Sequence, residues 1–305
     1  MELKHLAAFT MVAEELHFGR AADRLGIAQP QLSQWIRRLE TDLGATLFDR
    51  STRTVLLTEH GQAILEPARE TLARARLVER AALLGRSGVV GQVRIGYAGA
   101  SSREVIPPLA RAVRAEEPGI ELDLRSMIYG GFTPALVASG QLDIGFSRLP
   151  VVNYDVHARI FTYERIVAAL PEDHPLAAGE RVEIKDLATE QFVTFPATRG
   201  STVRDACLRL AHEAGFSPRI VQEAPDSYAI LGLVAAGVGV TLTVSSVQHI
   251  NTPGLVYREL AGDPTYLAAV VVWAKHNAGR ATGRVIEILE DLIPTPPECP
   301  GRVLL

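Results

Sequence analysis

The chain has 305 residues, 47% of them hydrophobic and 22% charged, with a formal net charge of −4. That length suits two or three globular domains, and the acidic balance excludes loose, non-specific coating of nucleic acid. Residues 1–58 hold seven basic and seven acidic side chains, so any nucleic-acid affinity there must come from where the cations sit.

Cys207 and Cys299 have no zinc-like spacing and the eight histidines stand as singletons, so neither a metal nor another cofactor is expected. No apolar run reaches the about 18 residues of a membrane helix. The start Met1-Glu-Leu-Lys-His lacks the apolar segment of a signal peptide. The expectation is a cytoplasmic chain with no membrane partner.

Leu3, Leu6, Phe9, Ala13 and Leu16 recur at helical spacing, so the chain opens with a helix. A second, short helix spans Phe18–Leu25 and ends at Gly26, which readily supplies a positive φ. A third is expected over 28–39, with Pro30 in its first turn, where a missing N–H costs nothing. Ala21, Ala22, Leu25, Ile27, Leu32, Ile36 and Leu39 form one small core between these helices.

That core leaves Gln29, Gln31, Ser33, Gln34 and Arg37 outside, beside Pro30. Glutamine can pair with adenine edges and Arg with guanine in a major groove that admits one helix. The pair therefore reads as a helix-turn-helix whose second helix meets double-stranded DNA. Polar residues 50–54 before Val55-Leu56-Leu57 predict a hairpin wing, which brings Arg50 and Arg53 to phosphates or the adjoining minor groove.

From Thr58-Glu59-His60-Gly61 a helix of roughly 25 residues is expected, about 40 Å long. Its stripe of Ile64, Ala68, Leu72, Ala75, Val78 and Ala82 suits a helix–helix dimer seam, or else packing on its own domain. Glycines mark a hinge at 85–91. Strands at 92–97, 120–127, 142–146, 165–170, 191–195, 219–223, 238–244 and 266–273 then alternate with helices at 102–116, 133–139, 202–214, 227–236 and 283–292. Such alternation implies parallel sheets flanked by helices, and its two series imply two lobes with a cleft.

The expected architecture is therefore α/β, with an all-α-type winged helix-turn-helix at 1–58 and a linker helix and hinge at 59–88. A two-lobed module follows at 89–305, with lobe I at 89–163 and 265–305 and lobe II at 164–264. In such sheets ligands sit beyond the carboxyl ends of strands. Ala98-Gly-Ala-Ser-Ser102 and Phe195-Pro-Ala-Thr-Arg-Gly-Ser-Thr202 both lead into helices. Ser101 with Glu104, and Thr202 with Asp205, are spaced as capping boxes. Helix starts attract anions, so the candidate effector contacts are Ala100, Ser101, Ser102, Pro196, Thr198, Ser201 and Ser227. Arg148 and Arg199 are added as charge-assisted donors.

Phe18–Glu40, with its Arg-Ala-Ala and Gln-Pro-x-Leu-Ser blocks, is followed by Leu43-Gly-Ala-Thr-Leu-Phe-Asp-Arg50 and Leu57-Thr-Glu-His-Gly61. These runs closely resemble the LysR-type transcriptional regulators. Weaker likeness continues through Gly91–Gly96, 140–145, 173–176 and 233–239. Trp35 departs from the family where a polar residue is more usual, and Val244 where proline is common.

The resemblance implies a periplasmic-binding-protein-like effector domain, dimers joined through the linker helices, homotetramers, and binding to interrupted palindromes. The runs 143–148, Phe195-Pro196 and 231–237 look most similar to the branch controlling aromatic-compound catabolism. A small organic anion is the implied effector, with an amino acid or other metabolite as the alternative.

An enzyme is not expected. Gly237-Val-Gly239 lacks a third glycine in register for a dinucleotide loop, and there is no Gly-x-Ser-x-Gly or Walker motif. A solute-binding protein is argued against by the missing export signal and the fused helix-turn-helix.

Overall fold

The computed structural model describes residues 1–50, 55–84, 89–152, 155–276 and 278–304. The chain separates into two compact units, Met1–Gly88 and Val89–Leu305. The glycine-rich 85–88 falls outside the described residues.

In the first unit, α1 (Leu3–Glu15), α2 (Phe18–Leu25) and α3 (Gln29–Leu43) precede a two-stranded wing of β1 (Phe48–Arg50) and β2 (Val55–Leu57) and the long α4 (Glu59–Leu84). Phe9, Leu32, Ile36, Leu39, Leu47 and Phe48 are at most 1% exposed, and burying each such side chain is worth roughly 1.5–3 kcal/mol. Phe48 anchors the wing, its ring tilted on Phe9 at 5.5 Å and edge-on to Phe18 at 5.9 Å. The small side chains of Ala21 and Ala22 are buried in the same core.

Gly26 ends α2 at φ 66°, an αL cap open to glycine without Cβ strain. Helix α3 continues beyond the expected residue 39, to Leu43 before Gly44. The polar run Glu40-Thr41-Asp42 is compatible with helix because it is locally satisfied. Asp42 pairs with Arg38 at 3.1 Å and with the Met1 ammonium at 2.8 Å, and Glu40 accepts from the Leu47 N–H at 2.9 Å.

Thr58 joins the wing to α4. Its Oγ1 accepts from the Gly61 N–H at 3.0 Å and donates to the Thr46 carbonyl at 2.7 Å. The α4 stripe divides in two. Ala68 is 3% exposed in the unit's own core with Ile64 and Leu72 partly buried against it, whereas Val78 is 71% exposed and Ala82 is exposed. The first half of the stripe thus packs within its own domain.

The second unit contains β3 (Gly91–Gly96), α5 (Ala100–Glu116), β4 (Ile120–Arg125), α6 (Thr133–Ala138), β5 (Ile144–Arg148), β6 (Val156–Pro171), β7 (Arg181–Val182), β8 (Gln191–Thr194) and α7 (Thr202–Glu213). It continues with β9 (Arg219–Glu223), α8 (Ser227–Ala235), β10 (Thr241–Val244), β11 (Leu255–Leu260), β12 (Thr265–Ala274), α9 (Arg280–Leu292) and β13 (Arg302–Val303). Parallel pairing holds for β3 with β4 and β5, and for β8 with β9.

The centre is antiparallel, contrary to the all-parallel expectation. β12 pairs with β5 and β6, and β10 and β11 pair with β6. β6 itself is 16 residues long, not a short strand opening at 165. Residues 156–165 pair with β12 and 166–171 with β10 and β11, so one strand runs through both lobes. Asp143 accepts from both Nε and Nη2 of Arg94 at 2.9 Å, which ties the entry of β5 to β3.

A Cβ added at Gly61 would lie 2.3 Å from the Leu47 carbonyl oxygen, a backbone atom that cannot swing aside. Gly61→Ala is expected to destabilise the first unit by about 2 kcal/mol, read as a lower midpoint for its transition in urea denaturation.

Candidate functional site

Two places in the fold present chemistry outward. On α3, the buried Leu32, Ile36 and Leu39 face the core, which turns Pro30, Gln34 and Arg37 to the opposite side. Gln29, Pro30, Gln31, Gln34 and Arg37 are exposed, and Ser33 is half-buried. Arg37 forms no ion pair among the described residues, whereas Arg20 and Arg24 are held by Glu15 at 3.0 and 2.7 Å.

Trp35 turns to the rear, half-buried, with the Lys4 ammonium 5.9 Å from its ring and His5 at 6.4 Å. It packs against α1 at the helix edge. Arg50 ends β1 opposite Val55, and Arg53 lies outside the described residues.

In the second unit the ends of β3, β5 and β8 open on a cleft of about 630 Å³, its mouth included. Three helices begin at its wall. Ser201 caps α7 by accepting from the Arg204 N–H at 3.3 Å, and Asp226 caps α8 by accepting from the Ala229 N–H at 2.9 Å. α5 differs, because its N-cap is Gly99 and no side chain accepts there.

Ser102 Oγ donates to the Gly99 carbonyl at 2.9 Å, so the first N–H groups of α5 keep no side-chain acceptor among the described residues. Such bare donors, at the positive end of a 17-residue helix, are suited to an anion. Neither expected capping box forms. Ser101 lies inside α5 and Glu104 pairs instead with His249 at 2.9 Å. At α7 the cap is one residue earlier than Thr202.

Of the expected effector contacts, Ala100, Ser101, Ser102, Arg148, Ser201 and Ser227 line the cleft. Pro196, Thr198 and Arg199 are not among its lining. Thr198 and Arg199 belong to a 3-10 turn, Ala197–Arg199, with Pro196 at its N-cap, and the turn's side chains are not buried. Arg148 is compensated from within. Its Nε donates to Glu164 Oε2 at 2.9 Å and its Nη2 to the same oxygen, with side-chain exposures of 9% and 2%. Ser246 Oγ donates to the other Glu164 oxygen.

Sequence reading missed Glu164, Tyr129, Ser147, Asp226 and Thr243. Tyr129 crosses the cleft, its hydroxyl donating to the Pro225 carbonyl and its ring edge-on to Phe195 at 6.0 Å. Burial pushes its phenol up, with Arg199 opposing and Asp226 adding to the shift. The Gly131 N–H donates to the Gly200 carbonyl at 3.0 Å, a second cross-lobe bond. The sequence signal for this strap was the pair Gly130-Gly131, where a Cβ on either residue would meet backbone.

Two family models account for nearly the whole chain: "Bacterial regulatory helix-turn-helix protein, lysR family" over residues 3–62 and "LysR substrate binding domain" over residues 86–293. The chain belongs to the LysR family of transcriptional regulators. It is 39% identical over 292 residues to the HTH-type transcriptional regulator ShiR of Corynebacterium glutamicum (strain R), covering 96% of this chain and 99% of that protein. It is 35% identical to AlsR of Bacillus subtilis (strain 168), covering 91% of each. Its fold matches the crystal structure of full-length CbnR complexed with target DNA at TM-score 0.77 and 26% identity, over 95% of this chain and 99% of that one.

This LysR-family chain is thus a DNA-binding transcriptional regulator with a substrate-binding domain, from a family of regulators rather than enzymes. Among the described residues no helix is long and apolar enough to cross a membrane. Cys207 is a core side chain: Sγ donates to the Leu242 carbonyl at 2.7 Å, and burial pushes its thiol up to about 12. It is held as an unreactive thiol.

Removing the Glu164 charge strands the Arg148 guanidinium in the interior. Glu164→Gln is expected to cost about 3 kcal/mol of stability in urea denaturation, with Arg148→Met plus Glu164→Leu together costing less than the sum of the single changes.

Proposed function

We propose that this regulator responds to a small organic carboxylate bound in the cleft, with an aromatic acid or ring-cleavage product as the first class to test. The observation that carries the reading is the uncapped start of α5. Its free N–H donors meet Ser101, Ser102 and Arg148 in a cleft that also holds the rings of Phe146 and Phe161, edge-on at 5.4 Å. Donors for one charged end beside an aromatic wall suit a compact acid better than an extended or purely apolar ligand. No carboxylate has to be paired with a bare cation, because hydrogen bonds at a helix start are sufficient.

On the DNA side, Gln29, Pro30, Gln31, Ser33, Gln34 and Arg37 of α3 are the base-reading and positioning set. Arg50 and Arg53 are assigned to the backbone. A dimer joined through α4 would use its exposed far half, around Val78 and Ala82, since Ala68 is already packed inside. Two such reading heads fit an interrupted palindrome, and a homotetramer would pair two dimers. The same reading makes the chain cytoplasmic, as a protein whose partner is DNA.

Two substitutions separate the functions. Gln34→Ala is expected to reduce discrimination between the chain's upstream region and unrelated DNA by about 1–3 kcal/mol, leaving affinity for unrelated DNA near wild type. Ser101→Ala is expected to weaken benzoate binding several-fold in calorimetry while DNA affinity without ligand is retained. Benzoate binding unaffected by Ser101→Ala would remove the α5 site from the account.

A further inference from the structure

Arg148 and Asp226 are the charged side chains among the described residues lining the cleft. Arg148 is already neutralised by the buried Glu164 behind it. The two cancel, so Asp226 leaves the cleft with one negative charge in excess. The helix starts agree with this count. α7 and α8 have side-chain acceptors at their N-caps, and α5 has none. One carboxylate can therefore be seated, and another carboxylate, from the protein, already faces the same space.

Asp226 is half-buried. Its Oδ1 accepts from the Ala229 N–H, and Oδ2 accepts nothing from the described residues. An ionised carboxylate can only accept hydrogen bonds, so a group meeting it must donate. An independent sign of a polar occupant comes from two hydroxyls. Ser101 and Thr243, 7% and 5% exposed, both line the cleft, and neither hydroxyl bonds to a described residue. Neither oxygen is sealed off from the cleft, so each is open to a polar group bound there.

We propose that Asp226 sets the ligand class of the cleft: a small monocarboxylate bearing a hydroxyl or ammonium donor, with dicarboxylates disfavoured. This rests on the carboxylate reading of the α5 start given above. A second carboxylate would sit against Asp226 in a confined space with no compensating cation among the lining side chains, which is how a site rejects a near-isostere. Arg199 lies on the exposed side, beside Tyr129 rather than in the lining.

Benzoate, 3-hydroxybenzoate and isophthalate differ only in one ring substituent: hydrogen, hydroxyl or carboxylate. Calorimetry on the full-length protein at low ionic strength should rank 3-hydroxybenzoate tightest. Isophthalate should bind at least about tenfold more weakly than benzoate. Asp226→Asn keeps an equally good helix cap and removes the charge. It should bring the isophthalate-to-benzoate ratio towards one and erase most of the preference for the hydroxylated acid.

Isophthalate binding the wild-type protein as tightly as benzoate would overturn the proposal, without needing any variant to fold. So would an unchanged ratio in folded Asp226→Asn. Failure of all three acids to bind a protein that still binds its upstream DNA would overturn the carboxylate reading, and this inference with it. Binding without discrimination would overturn the selectivity alone.

Discussion

The Arg148–Glu164 ion pair governs what the cleft can do, because it takes the lining cation out of play. Glu164 lies on the lobe-spanning β6 and Arg148 ends β5, and the two strands do not neighbour each other: β12 runs between them. Two charges at 9% and 2% exposure persist together only because each satisfies the other, with Ser246 on the remaining oxygen. Ligand attraction is then left to backbone dipoles at the start of α5 rather than to a free guanidinium. Gly99 permits this close arrangement, since an added Cβ there would stand 3.3 Å from Arg148 Nη2.

A different constraint shapes the first unit. Small alanines in α2 and a glycine turn let α2 and α3 meet closely, so Leu32, Ile36 and Leu39 fill the interior and polar residues are forced outward. Rigid packing matters more here than net charge. Glu15 already occupies Arg20 and Arg24, and the domain carries no excess of cations. Recognition then has to come from a few polar side chains on one helix face, which favours base-edge contacts over diffuse attraction.

Much of this was legible in the residues. The spacing of Ala21, Leu25, Leu32, Ile36 and Leu39 located the reading pair, because a 3.6-residue period is read directly from local sequence. Helix ends were less legible. Glu40-Thr41-Asp42 resembled a boundary until the Met1 ammonium and Arg38 were seen to hold Asp42. Ser101 with Glu104 matched a capping spacing, yet tertiary contact with His249 claimed the glutamate. The first half of β6 was missed because its polar residues, including His157, Arg159 and Glu164, mask a strand held by long-range pairing. Glu164 acts through Arg148 on a strand that does not neighbour its own, so no local pattern marks it. Asp226 fits a local N-cap pattern before α8, but its place in the cleft depends on how the lobes fold together.

Coupling between cleft and DNA is the central claim, and thermodynamic reciprocity makes it directly testable. On the full-length protein, affinity for its upstream DNA would be measured by fluorescence anisotropy with and without saturating 3-hydroxybenzoate. The ligand's affinity would be measured with and without the DNA. Both affinities should change by one common factor, about fivefold or more. Ligand and DNA binding to the same molecule with neither affinity altered would contradict the account.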